Sequence, residues 1–459
     1  MDKLKSLLML DDKKFYKMLI FLAIPICLQN LITSSVNMID TLMVGSLGET
    51  EIAAVGVSNQ IFFLFNFILI GITGGCGIYI AQFFGSRNIK GVGNAVTLAT
   101  LLALVVAGIF MTAGILIPEY IIGIFNSDPE LISKGRDYFS IVCIGYLFTA
   151  ITISFSTASK NIGNTITPMV VSFIALLINA GLNYILIFGK FGFEPLGIKG
   201  AAIGTVIARL CEAVILVSYL CYKKSIVIPK KGQIFASSGD FYSRILKTVL
   251  DTTLIEIAWA AGVVMYSVAY GKIGKEALAS IQIFTTVQNF FLIIVYGISN
   301  SAAVMIAQKI GENKNETAAK YGRGFTWIGT VVGVILAVLM IITAKPVVSM
   351  FNISDSLAHD TVYLLWIGAI SFAGFVVNTI LIVGIFRGGG DTKYPLAIES
   401  FTIWCIGVPL AFLGAIYFKL PVYVVVLLVG IEEAVKTIFT IKRLRSDKWV
   451  KNVVKEVCL

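Results

Sequence analysis

Gln29, Thr33, Asn37 and Asp40 fall within about 80° of one another if their stretch is an α-helix turning roughly 100° per residue. The surroundings are largely apolar, and Asp40 is the only carboxylate in the body of that stretch. A carboxylate flanked by amide and hydroxyl oxygens suits a proton or a hard monovalent cation. Two other stretches carry matching groups: Ser172, Asn179 and Asn183 share one helical face, and Thr205, Arg209 and Glu212 share another. Arg209 and Glu212 are spaced for an ion pair. Asp40, Asn183 and Thr205 each lie about 7–11 Å from the same end of their runs at 1.5 Å per residue, and Asn179 is one turn deeper. The candidate cation site is therefore Asp40, Asn179, Asn183 and Thr205, with sodium or a proton as its occupant. The bland alternatives are interhelical packing for the two amides and the hydroxyl, and a helix-end carboxylate at the headgroups for Asp40, because Gly45 begins a loop.

The second half of the chain is marked differently. Asp251, Thr252 and Glu256 open one apolar run, with Trp259 a turn later, and Glu256 is near mid-run, where an acid is costliest in lipid. Glu256 is a candidate substrate or cation-binding residue, and Gln29, Asn37 and Gln282 are placed with it. Asp251, nearer the end of its run, fits a solvated polar group. Asn378 and Glu399 are single polar residues in later runs, while Glu432, Glu433 and Lys436 read as a self-neutralising structural cluster. Enzyme chemistry lacks its parts. One histidine, His359, cannot build a His-based metal site or triad. Gly388-Gly389-Gly390 continues into Asp391-Thr392 without the Lys-Ser/Thr ending of a phosphate-binding loop. The seven cysteines are scattered without metal-ligand spacing and read as small apolar fillers. Uphill transport would have to draw on an ion gradient, and no cofactor is expected.

These residues must be positioned by membrane helices. The chain is 57% hydrophobic and 14% charged with a mean hydropathy of +0.90, against about 25% charged in soluble domains. Twelve apolar runs are long enough to span, at 16–43, 53–80, 93–117, 137–158, 166–189, 198–222, 244–270, 277–306, 322–344, 360–384, 394–417 and 421–441. The first contains Pro25, which removes a backbone hydrogen bond and lets the helix bend, a candidate hinge. Phe15 to Lys90 aligns without gaps on Phe241 to Glu316, with 14 identities in 76 positions. Four of the five glycines in the second copy (Gly271, Gly274, Gly297 and Gly311) fall on glycines of the first. Farther on, Gly163-Asn164-Thr165 and Pro168 match Gly390-Asp391-Thr392 and Pro395. The chain is a duplication, with six runs in each half. Expected boundaries are an amphipathic cytoplasmic tail at 1–14, lobes at 15–222 and 244–444, a linker at 223–243 and a basic cytoplasmic tail at 445–459. Of the Lys and Arg residues, 26 lie on the side of the termini, eight on the other and two within spans. The positive-inside rule then places both termini in the cytoplasm of a multi-pass inner (plasma) membrane protein. The net charge of +10 fits anionic lipid headgroups rather than nucleic acid. The first run is long, carries polar residues and is repeated at 244, so it reads as a structural helix and not a cleavable signal.

The chain resembles the multidrug and toxic compound extrusion (MATE) family over essentially its whole length. The resemblance rests on the Pro25-containing run ending Asp40-Thr-Leu-Met-Val-Gly-Ser-Leu-Gly, on Ile-Ala-Ala-Val-Gly at 52–56, on Gly-Ala-Ala-Ile-Gly-Thr-Val at 200–206 and on Arg387-Gly-Gly-Gly-Asp391. It implies an all-α integral membrane fold of twelve transmembrane helices in two homologous six-helix lobes (6+6, a parallel repeat), V-shaped and rocking between inward-open and outward-open states. It also implies a monomer that exports cationic drugs in exchange for H+ or Na+. In that family's terms Asp40 matches the acidic residue of the first span, and Asn179, Asn183 and Thr205 match its partners. Asn183 stands where the family often has Asp. Glu256 matches a second-lobe glutamate of the norfloxacin-efflux branch, but Val376, Val377 and Asn378 leave no carboxylate where that branch has an aspartate. The coupling site is therefore expected in the first lobe. The same superfamily includes flippases of lipid-linked oligosaccharides and lipids, the alternative reading, whose cavities are commonly rich in Arg and Lys.

Overall fold

The computed structural model describes residues 12–125, 127–230, 239–351 and 353–455. Most of the expected N-terminal tail, positions 231–238 of the expected linker and positions 456–459 of the expected C-terminal tail lie outside them. The described residues are helical almost throughout, as lipid requires, because a spanning segment must satisfy its own backbone hydrogen bonds. The first half comprises α1 (Lys13–Gly45), α2 (Glu49–Gly85), α3 (Ile89–Leu116), a short α4 (Pro118–Gly123), α5 (Pro129–Val142), α6 (Gly145–Asn161), α7 (Ile166–Phe188) and α8 (Gly197–Tyr222). The second comprises α9 (Gly239–Ile273), α10 (Lys275–Gly311), α11 (Asn315–Val348), α12 (Asp355–Thr379), α13 (Lys393–Thr402), α14 (Val408–Phe412) and α15 (Val422–Arg445).

Among the described residues ten helices are long and apolar enough to cross a membrane, and the bent pair α5–α6 makes eleven. The twelfth is α15, whose apolar run is interrupted by Glu432, Glu433 and Lys436. The fold is the expected all-helical 6+6 membrane architecture. The backbone repeats with the sequence: Gly48 and Gly274 both have φ +153°, Arg87 and Asn313 both +59°, and Gly163 and Gly390 +90° and +78°. Equivalent turns thus use the same left-handed geometry, even where the side chains have diverged.

The chain divides into two compact units, Pro25–Thr253 and the combination of Met1–Ile24 with Leu254–Leu459. Helix α1 therefore changes unit just before Pro25, and α9 changes at Thr253. Within Pro25–Thr253, Phe65 stacks on Tyr146 at 4.5 Å, and Phe241 lies against Phe83 at 5.9 Å. Gly75 admits α9 closely: a Cβ there would lie 2.6 Å from Thr252 Oγ1. The same hydroxyl donates to the Gly71 carbonyl at 2.7 Å, so Thr252 has a packing role. In the other unit Phe15 packs on Phe325 at 4.9 Å within a core that includes Phe372, Phe386 and Trp449.

Three local features go beyond these expectations. The run at 137–158 is not one straight span; helix starts at Pro129 and bends by 48° between α5 and α6. The α5 half is charged and held by ion pairs of Lys134 with Glu51, Arg136 with Glu119 and Lys199 with Asp137. The tenth and eleventh spans are not uniformly α-helical; π-helical turns occupy Ile380–Phe386, Ile403–Gly407 and Leu413–Tyr417. The basic segment after α15 is anchored at Trp449, Lys451 and Asn452. Trp449 is fully buried, Lys451 N–H donates to the Gly389 carbonyl at 2.8 Å, and Asn452 donates to Ile310 O at 3.2 Å.

Candidate functional site

Within Pro25–Thr253, three helices bring the predicted cation-site residues together. Helices α7 and α8 approach closely because α8 presents glycine at two contacts. A Cβ on Gly200 would lie 2.5 Å from the Leu186 carbonyl oxygen, and one on Gly204 would strike Asn183 Oδ1. Asn183 occupies that notch, fully buried, and donates through Nδ2 to Asp40 Oδ1 at 2.6 Å. The same Nδ2 lies 3.5 Å from Asn179 Oδ1, and Asn179 Nδ2 reaches Thr205 Oγ1 at 3.4 Å. Asp40, Asn183, Asn179 and Thr205 thus form one chain of contacts across α1, α7 and α8.

A second, stronger relay lies further along the same helices. Gln29 Nε2 donates to Ser172 Oγ at 3.1 Å, Ser172 Oγ donates to Glu212 Oε1 at 2.9 Å, and Arg209 Nη1 donates to Glu212 Oε2 at 3.0 Å. The Arg209–Glu212 pair is the one that the spacing anticipates. Gln29 and Ser172 as its satellites were not foreseen, though both sit on the polar stripes that sequence reading picks out. A cavity of about 20 Å³ lies between the two chains, lined by Thr33, Ser172, Asn179, Thr205, Arg209 and Glu212. That is room for a single water.

The electrostatics differ between the two acids. Glu212 has an arginine as direct partner. Asp40 has no ion pair among the described residues, and its one side-chain hydrogen bond comes from a neutral amide. Two buried acceptors, Asn183 Oδ1 and Gln29 Oε1, have no hydrogen-bond donor among the described residues. A buried, unsatisfied carbonyl costs about 1–3 kcal/mol. The Asp40–Asn183 corner therefore holds a carboxylate with no ion pair among the described residues and a buried amide oxygen with no donor among them.

The other candidates are placed differently. Asn37 is exposed, and its backbone carbonyl accepts from Thr41 Oγ1 at 2.8 Å. Gln282 is exposed, and its carbonyl accepts from Thr286 at 2.7 Å. Glu256, in the other unit, is held by Arg387, whose Nη2 donates to Oε1 at 2.5 Å with both side chains largely buried. Sequence reading missed this partner because the two residues are 131 positions apart. Arg387 belongs to the glycine-rich loop, whose Asp391 is in turn bound by Arg443 at 2.8 Å and Lys451 at 2.6 Å.

The MatE family profile matches residues 25–185 and 256–413, which takes in both repeats and most of the site. The chain belongs to the MatE family. A probable multidrug resistance protein NorM of Thermotoga maritima is 27% identical over 406 residues, covering 88% of this chain and 86% of that protein. The probable multidrug resistance protein YoeA of Bacillus subtilis is 27% identical over 413 residues, with 87% of each chain covered. Among solved structures, an outward-facing multidrug resistance MATE family transporter of the MOP superfamily superposes with a TM-score of 0.85 at 17% identity, over 94% of this chain and 96% of that one. This MatE chain shares their fold at low sequence identity.

Proposed function

We propose that this MatE chain is a cation-coupled antiporter that exports organic cations by alternating access, with H+ or Na+ as the coupling ion. It would act as a monomer in the inner membrane, with both termini cytoplasmic. The observation that carries this reading is the Asp40–Asn183 corner, a carboxylate lacking an ion pair beside an amide oxygen lacking a donor. Asp40 would bind the coupling ion, with Asn179, Asn183 and Thr205 as its neighbours, while Arg209 is already committed to Glu212. Pro25 would serve as the hinge, a role supported by the change of packing unit immediately before it. A ligand shifts a conformational equilibrium only through differential affinity, so ion and drug must favour different states.

Glu256 would serve the substrate, with Gln282 as a further candidate in the same unit. Because Arg387 pairs with Glu256, a cationic drug would have to displace a resident cation to reach the carboxylate. The multidrug resistance names of the relatives support drugs as cargo. The experiment is uphill uptake of ethidium into vesicles under an imposed pH gradient alone and a sodium gradient alone. Accumulation under either gradient supports the antiport reading and names the ion; none under both refutes it.

A further inference from the structure

Glu432, Glu433 and Lys436 by themselves leave one negative charge in excess, and a fourth residue, Glu399, adds another. Lys436 Nζ, almost wholly buried, lies 2.7 Å from Glu432 Oε1, 3.0 Å from Glu433 Oε1 and 3.6 Å from Glu399 Oε1. Three carboxylates face one ammonium, so two negative charges are in excess within the helix core. Among the described residues the packed helices place no second cation within ion-pair distance of the three carboxylates. Helix α9 contributes the Tyr266 hydroxyl, which donates to Glu432 Oε2, and Tyr270 in its electrostatic reach. Helix α10 contributes Tyr296 near Glu399. Helix α12 contributes Asn378, whose Nδ2 donates to Glu433 Oε2 at 2.7 Å and whose Oδ1 accepts from Thr440 at 3.0 Å. Glu256 is also within electrostatic reach of Glu399, but Arg387 already balances it.

The three carboxylates are not equally supported. Glu432 accepts from Lys436 and Tyr266, and Glu433 accepts from Lys436 and Asn378. Among the described residues Glu399 accepts no side-chain hydrogen bond; Lys436 at 3.6 Å is beyond hydrogen-bond distance, and the residue is 7% exposed. An ionised carboxylate buried in this way and surrounded by like charges takes up a proton, which removes half of the excess. A sodium ion is the poorer occupant, because Lys436 Nζ already stands at the point where the carboxylates converge. The helix is also built to form this cluster. Glu399 precedes the π-helical turn Ile403–Gly407, and a Cβ on Gly407 would strike both the Tyr266 hydroxyl and Glu432 Oε2. π-helical turns are frequent at functional sites.

We propose that Glu399, set beside the Glu432–Glu433–Lys436 cluster, is a second exchangeable proton site. The two units would then carry one such acid each, Asp40 and Glu399. The inference rests on the proposed antiport reading only in naming Asp40 as the other acid. The test uses infrared difference spectra of the purified full-length protein, acid minus alkaline, in the Asp40→Asn background so that Asp40 cannot contribute. The expected result is a protonated-carboxyl carbonyl band that grows on acidification, is lost in Glu399→Gln, is retained but shifted in frequency in Glu399→Asp, and is the same in sodium chloride as in choline chloride. A band undiminished in Glu399→Gln, unshifted in Glu399→Asp, or bleached by sodium at constant pH would overturn the proposal. Should Glu399→Gln fail to fold, the frequency shift in Glu399→Asp decides the assignment. Because Asp40 is absent from every sample, failure of this site is distinguishable from failure of the antiport reading.

Discussion

Gly204 is the position where a single methyl group should dismantle the Asp40 corner. A Cβ there would strike Asn183 Oδ1, with Asn183 N and Cγ both at 3.4 Å, so the amide must move. Asn183 is fully buried and tied to Asp40 at 2.6 Å, and any shift of the amide stretches that bond. A hydrogen bond to a charged group contributes about 1.5–3 kcal/mol, so Gly204→Ala should cost about 2 kcal/mol. Gly181→Ala on α7 is the control, because nothing lies within 4 Å of its added methyl. Equilibrium unfolding in mixed micelles, read against increasing SDS, measures both. Asn183→Ala should cost a similar amount, since it breaks the same bond. With the amide gone, Gly204→Ala should add little further loss, a coupling energy of about 2 kcal/mol. If Gly204→Ala is as stable as Gly181→Ala, or if the two losses simply add, the notch does not hold Asn183 in place.

Other outcomes follow from the second unit and from topology. Arg387→Ala should destabilise by about 3–5 kcal/mol by leaving a buried carboxylate unpaired, and adding Glu256→Gln should restore much of that; a double mutant that unfolds as easily as Arg387→Ala alone would be inconsistent with a paired charge. Glu256→Gln alone should weaken binding of cationic substrates more than neutral ones, as measured by fluorescence titration. Trp449→Ala should cost about 3–5 kcal/mol, because the indole fills the space over Gly322 and Gly389; a loss under 1 kcal/mol, read by unfolding, would mean that the tail is not docked. Single cysteines at Ser127 or Lys419 in a cysteine-free background should label from outside intact cells, and those at Ser86 or Lys230 should not; the reverse pattern would invert the topology.

Much of the fold was legible because lipid imposes a coarse code. Long apolar runs have few alternatives to helix, and duplicated glycines kept their left-handed turns while Asp40 and Tyr266 diverged at equivalent positions. The stripes on α1, α7 and α8 were legible for the same reason, since a costly polar group in a spanning helix has to face a partner. Pairings between distant residues were not. Nothing in local periodicity joins Glu256 to Arg387, or Glu399 to Lys436, because each depends on tertiary packing. The π-helical turns were hidden because their residues are as apolar as an α-helix; Gly384, Gly407 and Gly414 are their only local trace. At the C-terminus composition showed a basic segment but not that Trp449 anchors it.

The measurement that bears most directly on the account is uphill transport by Asp40→Asn. Wild-type and variant protein would be reconstituted in vesicles, and ethidium accumulation followed under whichever gradient, pH or sodium, drives the wild type. The variant should still fold and still bind ethidium in detergent, because the proposed role of Asp40 is to bind the coupling ion and not the drug. It should equilibrate ethidium without accumulating it. Sustained accumulation at the wild-type level by Asp40→Asn would contradict the account and move coupling to acids outside the Asp40–Asn183 corner.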